Sequence, residues 1–500
     1  ALTEYGRSAA DRPLLALWVG SKPSSPQVLV HGGLGANDAA GTVACLDLAE
    51  RLVAGEGAES LRRVSFVLIP APNPDALDAF LRGAPRAGGG ALDRDRDGAR
   101  GEDGPEDVDG DGEVLQMRRR SPRGTWALGS EVGREATAER DPRLLLERGP
   151  DPERAASYEV LAEGRDDDGD GLLGEDPPGI DLTRQLAGVW DHQGPWGGDG
   201  AFAGQAPEAR ALMELSYAQS GLIAWYGFRS EGPFLLRASE HGALADADTP
   251  LYDKLGAALQ KLTGVELRRA SERAGGRNPG SDLDWASAHL GVLAIALPVW
   301  RIAKQEAHKV ERPMADEVDW LPWNDTVLGG AGWAPWRSFS HPTLGEVEIG
   351  GWKRFTRHEP PPALLTEAAR AVSMAPLSHA AFTPALALDI GVLDRGAGLF
   401  EVEASVRNAG AAPTSTALAV ARQRAHGVRL TLTLEDGVEL LGGAPFLDVG
   451  VLPSGASTGQ QTWLLRRVPP RVNRVPDRLL AALAATHPAC PTVRAEVLAP

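Results

Sequence analysis

The stretch QVLVHGGLGANDAAG, residues 27–41, decides how the rest of the chain is read. Val28, Leu29 and Val30 make a continuous apolar run, the pattern of a strand buried on both faces. The run stops at His31, glycines at 32, 33 and 35 turn the chain, and Asn37 or Asp38 stands where a helix would be capped. A strand, a glycine-rich turn and a helix put a histidine at the carboxyl end of a strand, where open α/β sheets collect their ligands.

Outward from this point the pattern persists. Residues 14–19 (LLALWV) read as a preceding strand and 64–69 (VSFVLI) as a central one, followed by the turn PAPNPDA at 70–76. The intervening helix, over 37–54, is expected to carry Val43, Leu46, Leu52 and Val53 near one face. Cys45 lies in that helix and reads as a small core hydrophobe; Cys490 is at the other end of the chain, and no disulfide between them is expected. Helices are also expected over 207–221, 251–263 and 361–374, and a buried strand ends the segment GSDLDWASAHLGVLAIALPVW, 280–300.

Several of these phrases resemble the M14 zinc carboxypeptidases. In that family the first strand ends in His-x-x-Glu, with both residues on zinc, and a P-x-x-NPDG phrase follows the next strand; here His31 is matched, Leu34 stands for the glutamate, and Pro72, Asn73, Pro74 and Asp75 are present. The segments VLQMR (114–118), GIDLTRQL (179–186), PEARA (207–211) and SHPTLGEVEIGGW (340–352) resemble a bacterial branch with Asp-rich insertions and a C-terminal β-sandwich. The resemblance implies a carboxypeptidase-like α/β/α domain with a mixed central sheet over 1–378, then an all-β accessory domain over 379–500, whose short alternating strands and Gly/Pro turns read the same way. It also implies a secreted, periplasmic or cell-surface location. The start at Ala1, without Met or an apolar leader, reads as a trimmed form.

Residue by residue, the resemblance implies that Arg184 grips a substrate's terminal carboxylate beside Thr183, which replaces an asparagine, and that Arg118 takes the carbonyl-polarising place. Aligned on Phe234 to Arg237, the third zinc ligand falls on Tyr226, or on Trp225 one register away, and the general-base glutamate falls on Pro298. Pro298 lacks an N–H and is expected to break the ladder at its strand end. Only His31 then remains of three ligands and a base.

The formal charge of −17 is concentrated in two windows. Residues 93–113 hold ten acids and three arginines, and 166–176 six acids and no base; the remainder is nearly neutral, against nucleic-acid binding. Asp93, Asp95, Asp97, Asp107, Asp109 and Asp111, and then Asp166, Asp168, Asp170, Glu175 and Asp176, alternate with glycines as in calcium loops, the alternative being solvated acidic loops. No apolar run reaches the ~20 residues of a membrane helix. Trp320, Trp323, Trp333 and Trp336 fall in a segment, 302–350, that reads as loop-rich, as a ligand-binding rim or as core.

Two functions follow. In the first the chain is a non-catalytic carboxypeptidase homologue whose cleft binds peptide C-termini or a protein partner, stiffened by calcium and without zinc. In the second it is an active metallocarboxypeptidase that recruits Asp38, His192, His241 or His289 as zinc ligands. A calcium-stiffened adhesion or scaffold protein overlaps with the first.

Overall fold

The computed structural model describes residues 1–20, 26–36, 38–83, 90, 104–122, 124–128, 141, 143, 145–147, 158–167, 169, 173, 179–187, 190, 200–239, 246–272, 281–302, 317–468, 479–488 and 490–498. The centre of the first domain is an eight-stranded mixed sheet. Its strands are β1 (Leu2–Arg7), β2 (Pro13–Val19), β3 (Gln27–His31), β4 (Ser65–Ile69), β5 (Leu222–Glu231), β6 (Leu235–Arg237), β7 (Leu267–Arg269) and β8 (Leu293–Trp300), in the order 1-2-4-3-5-8-6-7. The four central strands β4, β3, β5 and β8 are parallel, so their carboxyl ends share one edge.

Each sheet face has its own core. On one, Val28, Val30, Tyr226, Phe228 and Ile295 pack under the helices α1 (Ala39–Val53), α3 (Thr249–Thr263) and α5 (Pro362–Ser373). On the other, Leu29, Trp225 and Ala294 pack with Leu34, Leu182, Trp285 and α2 (Pro207–Tyr217), while α4 (Asp282–Trp285) leads into β8. The three layers form because every central strand is apolar on both sides.

α1 buries only part of the face expected from its larger residues: Leu52 is in the core and Val43 packs against it, but the other two point outward. Leu46 is 51% exposed and Val53 72%, while Ala40, Gly41, Ala44, Cys45 and Leu48 lie against the sheet. Close approach decides this: a Cβ on Gly41 would lie 2.7 Å from the Phe228 carbonyl oxygen. Cys45 is a buried free thiol.

Pro298 does not end its strand. β8 continues to Trp300, with Pro298 opposite Arg229 and Trp300 opposite Glu231. β6 pairs with β8 only through Ile295 and Ala296, so at Pro298 one side has no ladder, which is where a missing N–H is tolerated.

The segment read as loop-rich carries a β-hairpin, Trp333–His341 with Gly345–Trp352, in a six-stranded sheet that also contains Gln116–Arg120 and Tyr158–Ala162. Its tryptophans are core rather than rim: Trp320 and Trp333 are buried, and Trp300, Trp320 and Trp323 contact one another at centroid distances of 5.5–6.0 Å. The C-terminal strands form two four-stranded sheets packed around Val402, Val406, Leu430, Trp463 and Leu483. The boundary expected at 378/379 falls within the short helix Ala375–Phe382, and the first strand beyond it is Leu386–Gly396.

Candidate functional site

Register at the strand ends fixes what surrounds His31. His31 pairs with Gly227, Val30 with Tyr226 and Leu29 with Trp225. Paired residues on neighbouring strands share a face and successive residues alternate, so Tyr226 points away from His31, into the core under α1. Its hydroxyl lies 3.1 Å from Nδ1 of the buried His379, whose pKa burial pushes down to about 3. The assignment of a zinc-ligand position to Tyr226 is thereby corrected: the residue opposite His31 is Gly227. Trp225 is on the His31 side, its ring centroid 5.2 Å away, two residues before Gly227.

The space beside His31 is taken by Asp282, at the first turn of α4. One carboxylate oxygen lies 3.0 Å from His31 Nε2 and accepts from the Trp225 indole at 3.1 Å; the other accepts from Arg229. His31 Nδ1 lies 3.1 Å from the Gly32 carbonyl oxygen, so both ring nitrogens are engaged by oxygens. Burial works to raise the Asp282 pKa, but Arg229, His31 and Trp225 together hold it well below the usual carboxylate range. Gly227 makes room for this: a Cβ there would meet His31 Nε2 at 2.8 Å and Asp282 at 3.3 Å.

Next to this group, the N-terminus of α1 receives a second buried acid. Glu359 accepts from the amides of Ala39 and Ala40, at 2.7 and 2.9 Å, and from the Ser230 hydroxyl. Burial pushes its pKa up to about 8; the Ser230 hydroxyl and the two amides oppose the rise, and Asp38 adds to it. Asp38 accepts from the amides of Gly35 and Ser230.

Above these groups opens a cleft of about 440 Å³. Arg184, Thr183, Arg229, Asp282, Pro298 and Asp38 are on its walls, so two strands, two short helices and the start of α1 bring together positions spread over 260 residues of chain. Arg184 lies at the end of the short helix Leu182–Arg184, 3.6 Å from Asp181, whose carboxylate also accepts from the Thr183 hydroxyl. Arg118 is not on these walls. It belongs to the six-stranded sheet, bonded to Glu348 at 2.8 Å and stacked 4.2 Å from the Trp336 ring centroid, so the carbonyl-polarising place is corrected too.

The donors beside His31 do not fit zinc. A structural or catalytic zinc takes three or four N, O or S ligands, whereas His31 is already bonded through both nitrogens, Leu34 is a buried core residue and Gly227 has no side chain. The Arg229 guanidinium on Asp282 adds a positive charge that would repel a metal cation. Of the alternative ligands, Asp38 is held by backbone amides and His289 stacks on Trp285; His192 and His241 lie outside the described residues.

Among the described residues, three carboxylates do converge elsewhere. Asp107, Asp109 and Glu163 each place an oxygen within 4.8 Å of the others. Glu163 was not anticipated; it is buried, accepts from the amides of Val108 and Leu115, and its pKa is raised by burial. Asp111 instead bonds Arg337, and Asp166 accepts from Gly169 within its own turn. Asp93, Asp95, Asp97, Asp168, Asp170, Glu175 and Asp176 lie outside the described residues.

Residues 1–85 match the family model described as zinc carboxypeptidase (Peptidase_M14), and residues 388–497 match a domain of unknown function, DUF8731. No curated protein matches the chain by sequence. Among solved structures, bovine thrombin-activatable fibrinolysis inhibitor, bound to tick carboxypeptidase inhibitor, is 11% identical over 76% of this chain and 90% of its own, with a TM-score of 0.40. Carboxypeptidase A from Helicoverpa armigera is 12% identical, covering 66% and 68%, with a TM-score of 0.36. The metallo-carboxypeptidase of Pseudomonas aeruginosa is 11% identical, covering 76% and 64%, with a TM-score of 0.33. The family match spans β1 to β4 and the His31 turn, so the chain is similar to the zinc carboxypeptidases there, while Leu34 and Gly227 beside His31 offer no metal donor.

Proposed function

We propose that this protein is a non-hydrolytic member of the carboxypeptidase fold, a binding protein whose cleft takes the carboxylate end of a peptide or of a protein partner. One observation carries the reading: Asp282, with Arg229 behind it, bonds the one retained ligand histidine, so the position that would activate water is filled by an ion pair. Pro298 on the cleft wall offers no base. Arg184 beside Thr183 supports the choice of ligand, because a guanidinium can exchange Asp181 for a terminal carboxylate in a charge-assisted fork.

Titration by calorimetry of a peptide with a free C-terminus and of its C-terminal amide tests this. The free acid is expected to bind about tenfold more tightly. Purified protein is expected to contain no stoichiometric zinc and to release no C-terminal amino acid; release that a chelator abolishes would establish the active metallopeptidase instead.

The acidic cluster completes the reading. Its all-oxygen donors suit a hard cation, and we propose calcium at Asp107, Asp109 and Glu163, in keeping with a secreted or cell-surface protein. A ligand that binds only the folded state at a hundredfold excess over Kd adds about 2.7 kcal/mol, so EDTA is expected to lower the melting temperature by a few degrees. An unchanged melting curve removes calcium from the proposal.

A further inference from the structure

A second cavity lies at the other end of the sheet from the cleft. The cleft sits at the carboxyl ends of β5 and β8, whereas Leu222, Ile223 and Leu293, at the amino ends of the same strands, line an opening of about 60 Å³. Its far wall is built from residues 412–416, 419, 424 and 426 of the sandwich domain, so it exists only because the two domains meet there. Junctions of this kind are favoured places for small ligands, and this one shares no lining residue with the cleft.

The lining changes from apolar to cationic. Leu293 is buried in the core, and Leu251 and Phe382 are half-buried beside it. His379 also lines this side and is neutral, because burial pushes its pKa down to about 3, and its Nδ1 is engaged by the Tyr226 hydroxyl. The solvent side carries Arg424 and His426, both exposed. Among the described residues the Arg424 side chain has no hydrogen bond or ion pair; only its amide is engaged, by the Ala419 carbonyl. Its charge reaches the cavity wall: after burial, Arg424 and then Arg422 lower the pKa of His289, which adjoins Leu290 and Gly291 of the lining.

Charge and size together choose the ligand. No described acidic side chain lines the cavity, although the chain as a whole carries a formal charge of −17. A cation would meet like charge at the mouth, and a wholly polar anion would leave the apolar walls unfilled. An anion with a short apolar tail satisfies both ends. At about 30 Å³ for each water-sized group, the enclosed space limits that tail to a few carbons.

We propose that the domain junction is a binding site for a short aliphatic carboxylate, with the carboxylate on Arg424 at the mouth and a tail of about three carbons between Leu251, Leu293 and Phe382. The site is independent of the peptide-binding reading of the cleft, since the six residues from Ile223 to Arg229 separate the two by roughly 20 Å along β5.

The experiment titrates butyrate, acetate and butan-1-ol by ligand-observed NMR into the wild type, Arg424→Gln, Arg424→Lys and Leu251→Trp, with the melting temperature of each recorded. Arg424 is on the surface, so its two variants are expected to fold as the wild type does and keep the test decisive even where Leu251→Trp unfolds. Butyrate is expected to bind the wild type about fifteenfold more tightly than acetate, because two further methylenes are buried at about fourfold each. Arg424→Gln is expected to weaken butyrate about fivefold, Arg424→Lys to restore most of that loss, and butan-1-ol to bind the wild type and Arg424→Gln alike. Folded Leu251→Trp, which fills the cavity, is expected to lose butyrate and butan-1-ol together. Equal butyrate affinity in the wild type and Arg424→Gln overturns the assignment of the carboxylate, and butyrate binding that survives in folded Leu251→Trp overturns that of the tail. Acetate as tight as butyrate, or no butyrate binding to the wild type, overturns the site.

Discussion

At the scale of single residues, Asp282 holds His31 in place and pairs with Arg229 at the cleft floor. Restoring the family's residues by alignment would not undo this. In the triple variant Leu34→Glu, Tyr226→His and Pro298→Glu, the new histidine would point into the core under α1, while Asp282 and Arg229 still occupy His31. The triple variant is expected to bind no stoichiometric zinc by elemental analysis and to be less stable, because Leu34 and Tyr226 are buried and polar replacements there lack partners. The sequence makes His31 and the loss at 34 legible, since both sit in a local strand-turn-helix pattern. It does not reveal Asp282, which lies 251 residues from His31 and meets it only in the folded sheet. The register at Tyr226 was also beyond a local reading: a slip of one residue exchanges the two faces of a strand, and both faces of β5 are apolar.

At the scale of elements, the start of α1 ties the cleft floor to pH. The Glu359 pKa is raised from its ordinary value to about 8, so its contribution to stability is full below about pH 4.5 and fades as pH rises through 8. His379 runs the other way: lowered from 6.5 to about 3, it contributes fully above 6.5 and loses that contribution as pH falls through 3. These two groups place the best stability between about pH 4.5 and 6.5, and the melting temperature is expected to fall from pH 6 to pH 9. Glu359→Gln should start lower, because the amide nitrogen only donates and cannot stand in for the oxygen that accepts from Ala39 or Ala40, yet stay flat over that range. A wild-type alkaline slope that survives in Glu359→Gln refutes the assignment. The α1 helix itself was legible in outline. Its buried face was legible only in part: Leu52 and Val43 meet the core as expected, while the small residues at 40, 41 and 44 were chosen by the closeness of the sheet.

At the scale of the whole molecule, the sandwich is joined to the first domain by polar contacts as well as by chain. Asp248, just before α3, accepts from the amides of Ala417 and Leu418 at 2.8 and 3.0 Å, and Thr416 donates to the Gly291 carbonyl at 2.7 Å. Gly291 has φ +69, and a Cβ there would lie 2.4 Å from that of Ala419, so the two domains meet where only glycine fits. Asp248→Ala removes a capping group whose loss is ordinarily about 1 kcal/mol, and limited proteolysis is expected to cut more readily in residues 383–385 between the domains. Unchanged cleavage would mean that the junction is held by packing alone. The two-domain plan was legible from the change in strand texture near residue 381, whereas the six-stranded sheet was not. Its strands come from two distant stretches, 116–162 and 333–352, and its tryptophans pack inside it without any periodic pattern to betray them.

The absent side chain at Gly227 also bears on descent. With Asp282 in place, no histidine fits at 227; with Asp282 removed first, Arg229 is left partly buried without its carboxylate, a loss of about 3–5 kcal/mol when one partner of a buried pair is deleted. Every single substitution at this floor therefore passes through a less stable protein. Positions 227, 229 and 282 are tied to change together or not at all, so the ion pair acts as a ratchet on the sequence around it.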